Sequence, residues 1–284
     1  MGFKTKIRSE WKYWQSRYEN LTFPRKLVRE PLALPDSFIL DKATIGKRNS
    51  DILPYYPDEK LHERLAIQQK VKTVAVIFNS GILLENNWGD EIDSNDLVIR
   101  INFLPTKGYE RHTGSRTDIR ILGRNWIFRE GTELAIHTYN NELYAIRDKE
   151  IFEHSLRMRD EKFLYVFDNS TWEPVYTYFG ANVSNGLRAV LLALTLAETV
   201  KIYGADQSSK TWRKGKKLTH FPSEKDLEFV QQHMLPYALL HQEYERYFGT
   251  GAMKEGKVST IHNTINREYM FYDAHPAVYS VYGK

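Results

Sequence analysis

Three small residues, Asn79, Ser80 and Gly81, follow directly on the apolar run VKTVAVIF. At the end of a strand, such residues can hold an anion. Glycine permits a tight turn whose backbone N–H groups converge, and an asparagine both donates to and accepts from a sugar or phosphate. A second turn, GANVSNG, opens the apolar run LRAVLLALTLAE. Ser184 or Asn185 is placed there to cap a helix whose first free N–H groups attract negative charge. Each turn alone is also ordinary chain punctuation, and neither is a Walker A loop or a G-x-G-x-x-G fingerprint. Two of them meeting in one crevice would make a site for a phosphate-bearing ligand.

A proton acceptor is offered by HQEYERYFG, in which His241 and Glu245 stand four residues apart and share a face if helical. A histidine held by a carboxylate can deprotonate a sugar hydroxyl; the alternative is a solvent-facing helical pair. His220 in LTHFPSEKD and His233 in QQHMLPY are candidates for a second histidine. No metal site is expected: there is no H-E-x-x-H and no cysteine, and Asp90, Glu91 and Asp93 read more simply as a hydrated loop than as a cation site. A G-x-S-x-G elbow is absent too.

The elements that must position these residues are strands and helices in alternation. VKTVAVIF, DLVIRIN, DIRIL, KFLYVFD and TVKIYGAD read as strands, and LRAVLLALTLAE as a buried helix between two of them. EPLALPDSF and LPYYPDEK are proline-punctuated loops, and DEKLHERLAIQQK has helical spacing. This economy predicts an α/β fold, a single Rossmann-like domain with a mostly parallel central sheet. Ligands bind such sheets beyond the carboxyl ends of the strands, which directs attention to Asn79, Ser80 and Gly81, to Asn102, and to Gly204, Ala205 and Asp206.

Residues 1–31 form a basic, aromatic and helical N-terminal extension, and 32–284 a single domain. The extension, with Trp11, Tyr13, Trp14 and Tyr18 among lysines and arginines, either docks its aromatics on the domain or attaches peripherally to an anionic membrane. A formal charge of +4, dispersed along the chain, argues against nucleic acid as partner. No signal peptide or membrane span is read in the sequence, and the LRAVLLALTLAETV run is too short to cross a bilayer. The sequons NLT, NST and NVS carry little weight without secretion. Without cysteine, a reducing compartment suits the chain.

The ordered series from Val74 to Leu122, with NSG, GDEID, VIRIN, PTKGYE and GSRTD, resembles the large sialyl motif of the animal-type sialyltransferases. ANVSNGLRAVLLALTLAETVKIYGAD is similar to their small sialyl motif, and the two cover about a quarter of the chain. The resemblance implies a variant GT-A-type sialyltransferase fold and an inverting, metal-independent glycosyltransferase. CMP-sialic acid would be the donor, with CMP-Kdo as the alternative, and an oligosaccharide or glycolipid hydroxyl the acceptor; no further cofactor is required.

It further implies that Asn79 and Asn102 contact the nucleotide, with Ser80 and Gly81 in the same turn. Ser184 and Gly186, with Asn185 between them, would lie by the donor's phosphate or carboxylate. His241 would be the base and His220 would stand beside the leaving phosphate. Arg100 and Arg116 could reach the donor's carboxylate, but locking of loops is the preferred reading, and neither is given a catalytic role.

The chain departs from the family pattern at several points. The family's two bridged cysteines fall at Val74 and Ala197, where burial would replace the bond; this fits a cytoplasmic enzyme, with any membrane attachment on the cytoplasmic face. The glycine before N-S-G is Phe78, the proline of P-S-[ST]-G is Val183, and the last motif is one residue short. Two rival readings are a non-catalytic CMP- or glycan-binding protein of the same fold and a basic RNA-binding protein. The second lacks an RNP-like strand pair or a G-x-x-G loop. Between the motifs, residues 122–181 are dense in Trp and Tyr, serving either a saccharide or an ordinary core.

Overall fold

A computed structural model of the chain describes residues 22–27, 29–48, 50–78, 83, 86–102, 106–122, 133–137, 162–180, 183–205 and 267–281. Seven strands form one sheet: β1 (Val71–Ile77), β2 (Leu97–Ile101), β3 (Ile119–Leu122), β4 (Leu134–His137), β5 (Leu164–Val166), β6 (Ala197–Tyr203) and β7 (Val278–Val281). Their order is β5-β4-β3-β2-β1-β6-β7, and every pairing is parallel. Strands β2 to β5 are buried along their whole length, which is why they are written as mostly apolar runs, interrupted by Arg100, Arg120 and His137. The expected α/β class with a mostly parallel sheet is observed.

Eight helices lie among the described residues: α1 (residues 22–27), α2 (Lys42–Arg48), α3 (Leu61–Arg64), α4 (Gly89–Asp93), α5 (Glu110–Thr113), α6 (Asn169–Phe179), α7 (Asn185–Leu196) and α8 (residues 267–274). A 3-10 turn spans Ser50–Tyr55 and runs into the stretch LPYYPDEK, whose prolines suggested only loop. None of the described helices is long and apolar enough to cross a membrane. α7 packs across β6, β1, β2 and β3 through an apolar face that includes Leu187, Val190, Leu191 and Leu194. Since it leads into a parallel strand, it begins at the carboxyl edge of the sheet.

Two sequence expectations are corrected. DEKLHERLAIQQK is not one long helix: α3 ends after a single turn, Leu65 N–H donates to Leu61 C=O, and Ala66 takes a left-handed φ of +55°. That conformation costs an alanine about 1 kcal/mol and cannot continue a right-handed helix. Strand β4 lies in a stretch read as aromatic connection, and β7 was not foreseen.

The described part of the N-terminal extension packs on the domain. Phe23 is buried against Tyr178 and Phe179, with ring centroids 5.8 and 5.4 Å away. Trp172, one of the aromatics between the motifs, belongs to the core: it is fully buried, stacked on Phe38 at 4.4 Å and edge-on to Phe167. Val74 and Ala197 are both buried, but the register sets Val74 opposite Val200 and Ala197 opposite Val71. The two positions are therefore staggered along neighbouring strands rather than directly opposed.

Candidate functional site

The chain adds strands outward from β1 to β5, then returns to the other side of β1 for β6 and β7. The reversal falls between β1 and β6, and in open parallel sheets the crevice outside the strand ends at this point is where ligands sit. Phe78 closes β1 there, its N–H donating to Tyr203 C=O at 2.8 Å, and Gly204 closes β6 with φ +67°. A side chain at Gly204 would meet Leu83 and the carbonyl of Phe78, so this position requires glycine both for its backbone and for the close approach.

Asn102 follows β2 at the same edge. It adopts a left-handed φ of +53°, a conformation asparagine tolerates better than most residues. Two backbone bonds hold it: its N–H donates to Ile121 C=O at 2.7 Å, and its carbonyl accepts from Arg120 Nη1 at 3.0 Å. Arg120 is fully buried in β3 and is itself held by Glu133, Nε to Oε1, at 3.1 Å. Neither Arg120 nor Glu133 stood out in the sequence, because a lone arginine in an apolar strand carries no pattern that announces a buried partner.

The second turn meets the end of β2. Ser184 caps α7, its Oγ accepting from Leu187 N–H at 3.1 Å. Asn185 Nδ2 donates to Asn102 Oδ1 at 3.3 Å, joining the start of α7 to the residue that follows β2. Gly186 lies under the Phe78 ring; a Cβ there would stand 2.3 Å from Phe78 Cε1. The bulky ring that replaces a small residue before N-S-G is thus accommodated by the absence of a side chain one helical turn into the second motif.

Glu268, in α8, completes this turn. It accepts from Ser184 N–H at 2.7 Å and from the Ser184 hydroxyl, and it is buried. Burial pushes its carboxyl up to about 7 against the opposing effect of the Ser184 hydrogen bonds. Next to it, Arg267 donates to Phe179 C=O, so α8 is tied to the end of α6 and the start of α7 together. Glu268 was missed in the sequence; its one local signal is His262, six residues before it in IHNTINRE.

Arg100 and Arg116 are structural, as preferred. Arg100 is fully buried and reaches back to Arg116 C=O (2.8 Å), Thr117 Oγ1 (2.8 Å) and Gly114 C=O (3.2 Å). Arg116 binds Asp118 and the carbonyls of Asn95 and Asp96. The acidic residues expected in a hydrated loop form the short helix α4 instead and are likewise engaged: Asp93 accepts from Ser115 N–H and Oγ and from Arg116 N–H, and Glu91 accepts from Tyr203 OH at 2.8 Å. No cluster able to hold a metal occurs among the described residues. Asn79, Ser80, Gly81, Asp206, His220, His233, His241 and Glu245 lie outside the described residues.

The start of α7 and the end of β2 thus meet at the carboxyl edge of an open parallel sheet, where such folds receive ligands. Residues 18–146 match the model of glycosyltransferase family 29, the sialyltransferases. The chain is 28% identical to a zebrafish (Danio rerio) beta-galactoside alpha-2,6-sialyltransferase 2 over 226 residues, 69% of this chain and 42% of that protein. It is 33% identical over 162 residues to a chimpanzee (Pan troglodytes) CMP-N-acetylneuraminate-beta-galactosamide-alpha-2,3-sialyltransferase 1, 48% of this chain and 45% of that one. A crystal structure of a mammalian sialyltransferase superposes with a TM-score of 0.49 at 19% identity, over 88% of this chain and 83% of that one. These matches make the chain similar to glycosyltransferase family 29 over part of its length. It spans less than half the length of either relative.

Proposed function

We propose that the chain transfers a sialic acid from CMP-sialic acid to a hydroxyl of an oligosaccharide or glycolipid acceptor, inverting the anomeric carbon. The observation that carries this reading is the Asn185–Asn102 contact of 3.3 Å, which brings the start of the small-motif helix to the end of the large-motif strand β2 in a chain similar to family 29. The first turn of α7 offers backbone N–H groups and the positive end of its helix to the nucleotide phosphate. CMP leaves as a stable phosphate monoester, so departure needs charge stabilisation by preorganised donors more than it needs a strong acid. Asn79 and Asn102 bind the nucleotide in this reading, and Ser80 and Gly81 complete their turn.

A histidine deprotonates the acceptor hydroxyl as it attacks from the side opposite CMP. His241 is one candidate and His220 is assigned to the leaving phosphate. Glu268 follows six residues after His262, which adds that histidine as a second candidate for the base. The basic N-terminus attaches the enzyme to the cytoplasmic face of a membrane, a reading supported by its charge and aromatic content alone. Sedimentation with anionic vesicles, compared with a chain lacking the first 21 residues, tests the attachment.

The test of function is CMP release from CMP-sialic acid and from CMP-Kdo in the presence of EDTA, with and without galactosyl, sialyl and lipid-linked acceptors. Turnover with CMP-sialic acid, lost in His241→Ala or His262→Ala while CMP still binds, supports the proposal and names the base. Turnover with CMP-Kdo alone replaces the donor. Tight CMP binding without turnover of either leaves a nucleotide-binding protein of the same fold.

A further inference from the structure

Arg188 stands one turn into α7, half-buried, three residues beyond Asn185. Its Nη1 donates to Asn185 Oδ1 at 3.2 Å and its Nη2 to Tyr176 OH at 2.6 Å. The guanidinium also lies 5.5 Å over the Trp172 ring and 5.9 Å over that of Tyr176, so it is held from three sides by α6 and α7. Asn185 Nδ2 continues to Asn102 Oδ1.

The chemistry of this series has a direction. An asparagine side chain can point either end at a neighbour, and its orientation is decided by the hydrogen bonds around it. A guanidinium has donors only. Arg188 therefore requires the oxygen of Asn185 on its side, which turns the Asn185 amide nitrogen to Asn102. Asn102 in turn must face Asn185 with its oxygen, and the group it brings to other partners is its NH2. In the family pattern a serine or threonine stands where Asn185 stands; a rotating hydroxyl would fix no such direction.

We propose that Arg188 is a positioning residue that sets the polarity of the Asn185–Asn102 pair, so that Asn102 meets an acceptor oxygen of the cytidine nucleotide with an amide N–H. The inference rests on the reading of Asn102 as a nucleotide contact. Its backbone is pinned by Ile121 and Arg120, so what Arg188 acts on is which end of the Asn102 side chain faces Asn185.

Titration calorimetry of the full chain with CMP and with uncharged cytidine tests it. Asn185→Asp keeps the shape but only accepts; both Arg188 and the Asn102 amide nitrogen turn to it, and the Asn102 oxygen takes over the ligand side. The expected result is a loss of affinity of about tenfold or more for both ligands. Arg188→Met keeps packing and frees Asn185 to take either orientation, which halves the competent population and weakens both ligands about twofold. Arg188→Lys, still only a donor, restores wild-type affinity, whereas a purely packing role for a stacked guanidinium would not tolerate it.

The proposal is overturned if Asn185→Asp binds both ligands as the wild type does. It is also overturned if only CMP is weakened and salt restores it, which is charge repulsion. Should Asn185→Asp fail to fold, equal affinities in Arg188→Met and wild type overturn it. A wild-type chain that binds neither CMP nor cytidine refutes instead the nucleotide site beneath it.

Discussion

Glu268 grips Ser184 at two points, through the peptide N–H and through the hydroxyl, across 84 residues of sequence. The serine thereby serves two elements at once, capping α7 with its Oγ while tying α8 to the same turn. Its carboxyl partner is buried, and burial raises it to about 7.

The pH dependence of stability follows from that shift. A carboxyl raised from 4.5 to about 7 in the fold binds its proton more tightly there than in the unfolded chain. Its contribution is thus fully favourable below about pH 4.5 and is lost as pH rises through about 7, on the order of 3 kcal/mol in all. Thermal unfolding followed from pH 5 to pH 8 should show a falling Tm. Glu268→Gln, which keeps the shape of the protonated acid, should flatten that slope and raise the Tm at pH 8.

Arg120 should be more costly to replace alone than together with Glu133. Arg120→Met takes the guanidinium away from a buried carboxylate and from the Asn102 carbonyl, and urea denaturation should show a loss of about 3–5 kcal/mol. Arg120→Met with Glu133→Leu removes both charges and should recover most of that stability. Affinity for CMP should stay reduced in the pair, because the left-handed turn at Asn102 has lost its clamp.

Gly186→Ala should destabilise by about 1–3 kcal/mol, since the new methyl falls 2.3 Å from the Phe78 ring and the ring is itself edge-on to Tyr272 at 6.2 Å. Adding Phe78→Leu should restore part of the loss. A double-mutant cycle on denaturation midpoints reads the coupling directly, and additive effects would show that the two positions do not share this space.

Asp93→Asn should loosen the 114–116 turn without touching the crevice. The carboxylate accepts three hydrogen bonds from Ser115 and Arg116, and an amide can accept fewer of them on the same side. A drop of about 1–2 kcal/mol in unfolding free energy with CMP affinity unchanged is the expected pattern.

Much of the fold was legible because buried parallel strands are written as apolar runs, and β1, β2, β3, β5 and β6 all are. β7 escaped because it is a four-residue edge strand with a single buried position, and β4 because LAIH is too short to separate from its aromatic surroundings. Asn102, Ser184, Asn185 and Gly186 could be found from sequence, since each sits directly at the end of a strand or the start of a helix. Glu268 and Arg120 could not, since what defines them is a partner distant in the chain. Arg188 lay between these cases: its spacing from Asn185 is plain, but only the fold shows Tyr176 and Trp172 closing around it.

The distribution of these contacts along the chain has a consequence for biosynthesis. Strands β1 to β6 are all complete by Tyr203, yet the carboxylate that fastens Ser184 belongs to residues 267–274 and the strand that flanks β6 begins at Val278. A nascent chain emerging from the ribosome can therefore lay down most of its sheet while the helix start that would face the nucleotide still lacks its anchor. On the proposed function, competence to take up a nucleotide would arrive with the last described segment to be translated, and not with the bulk of the core.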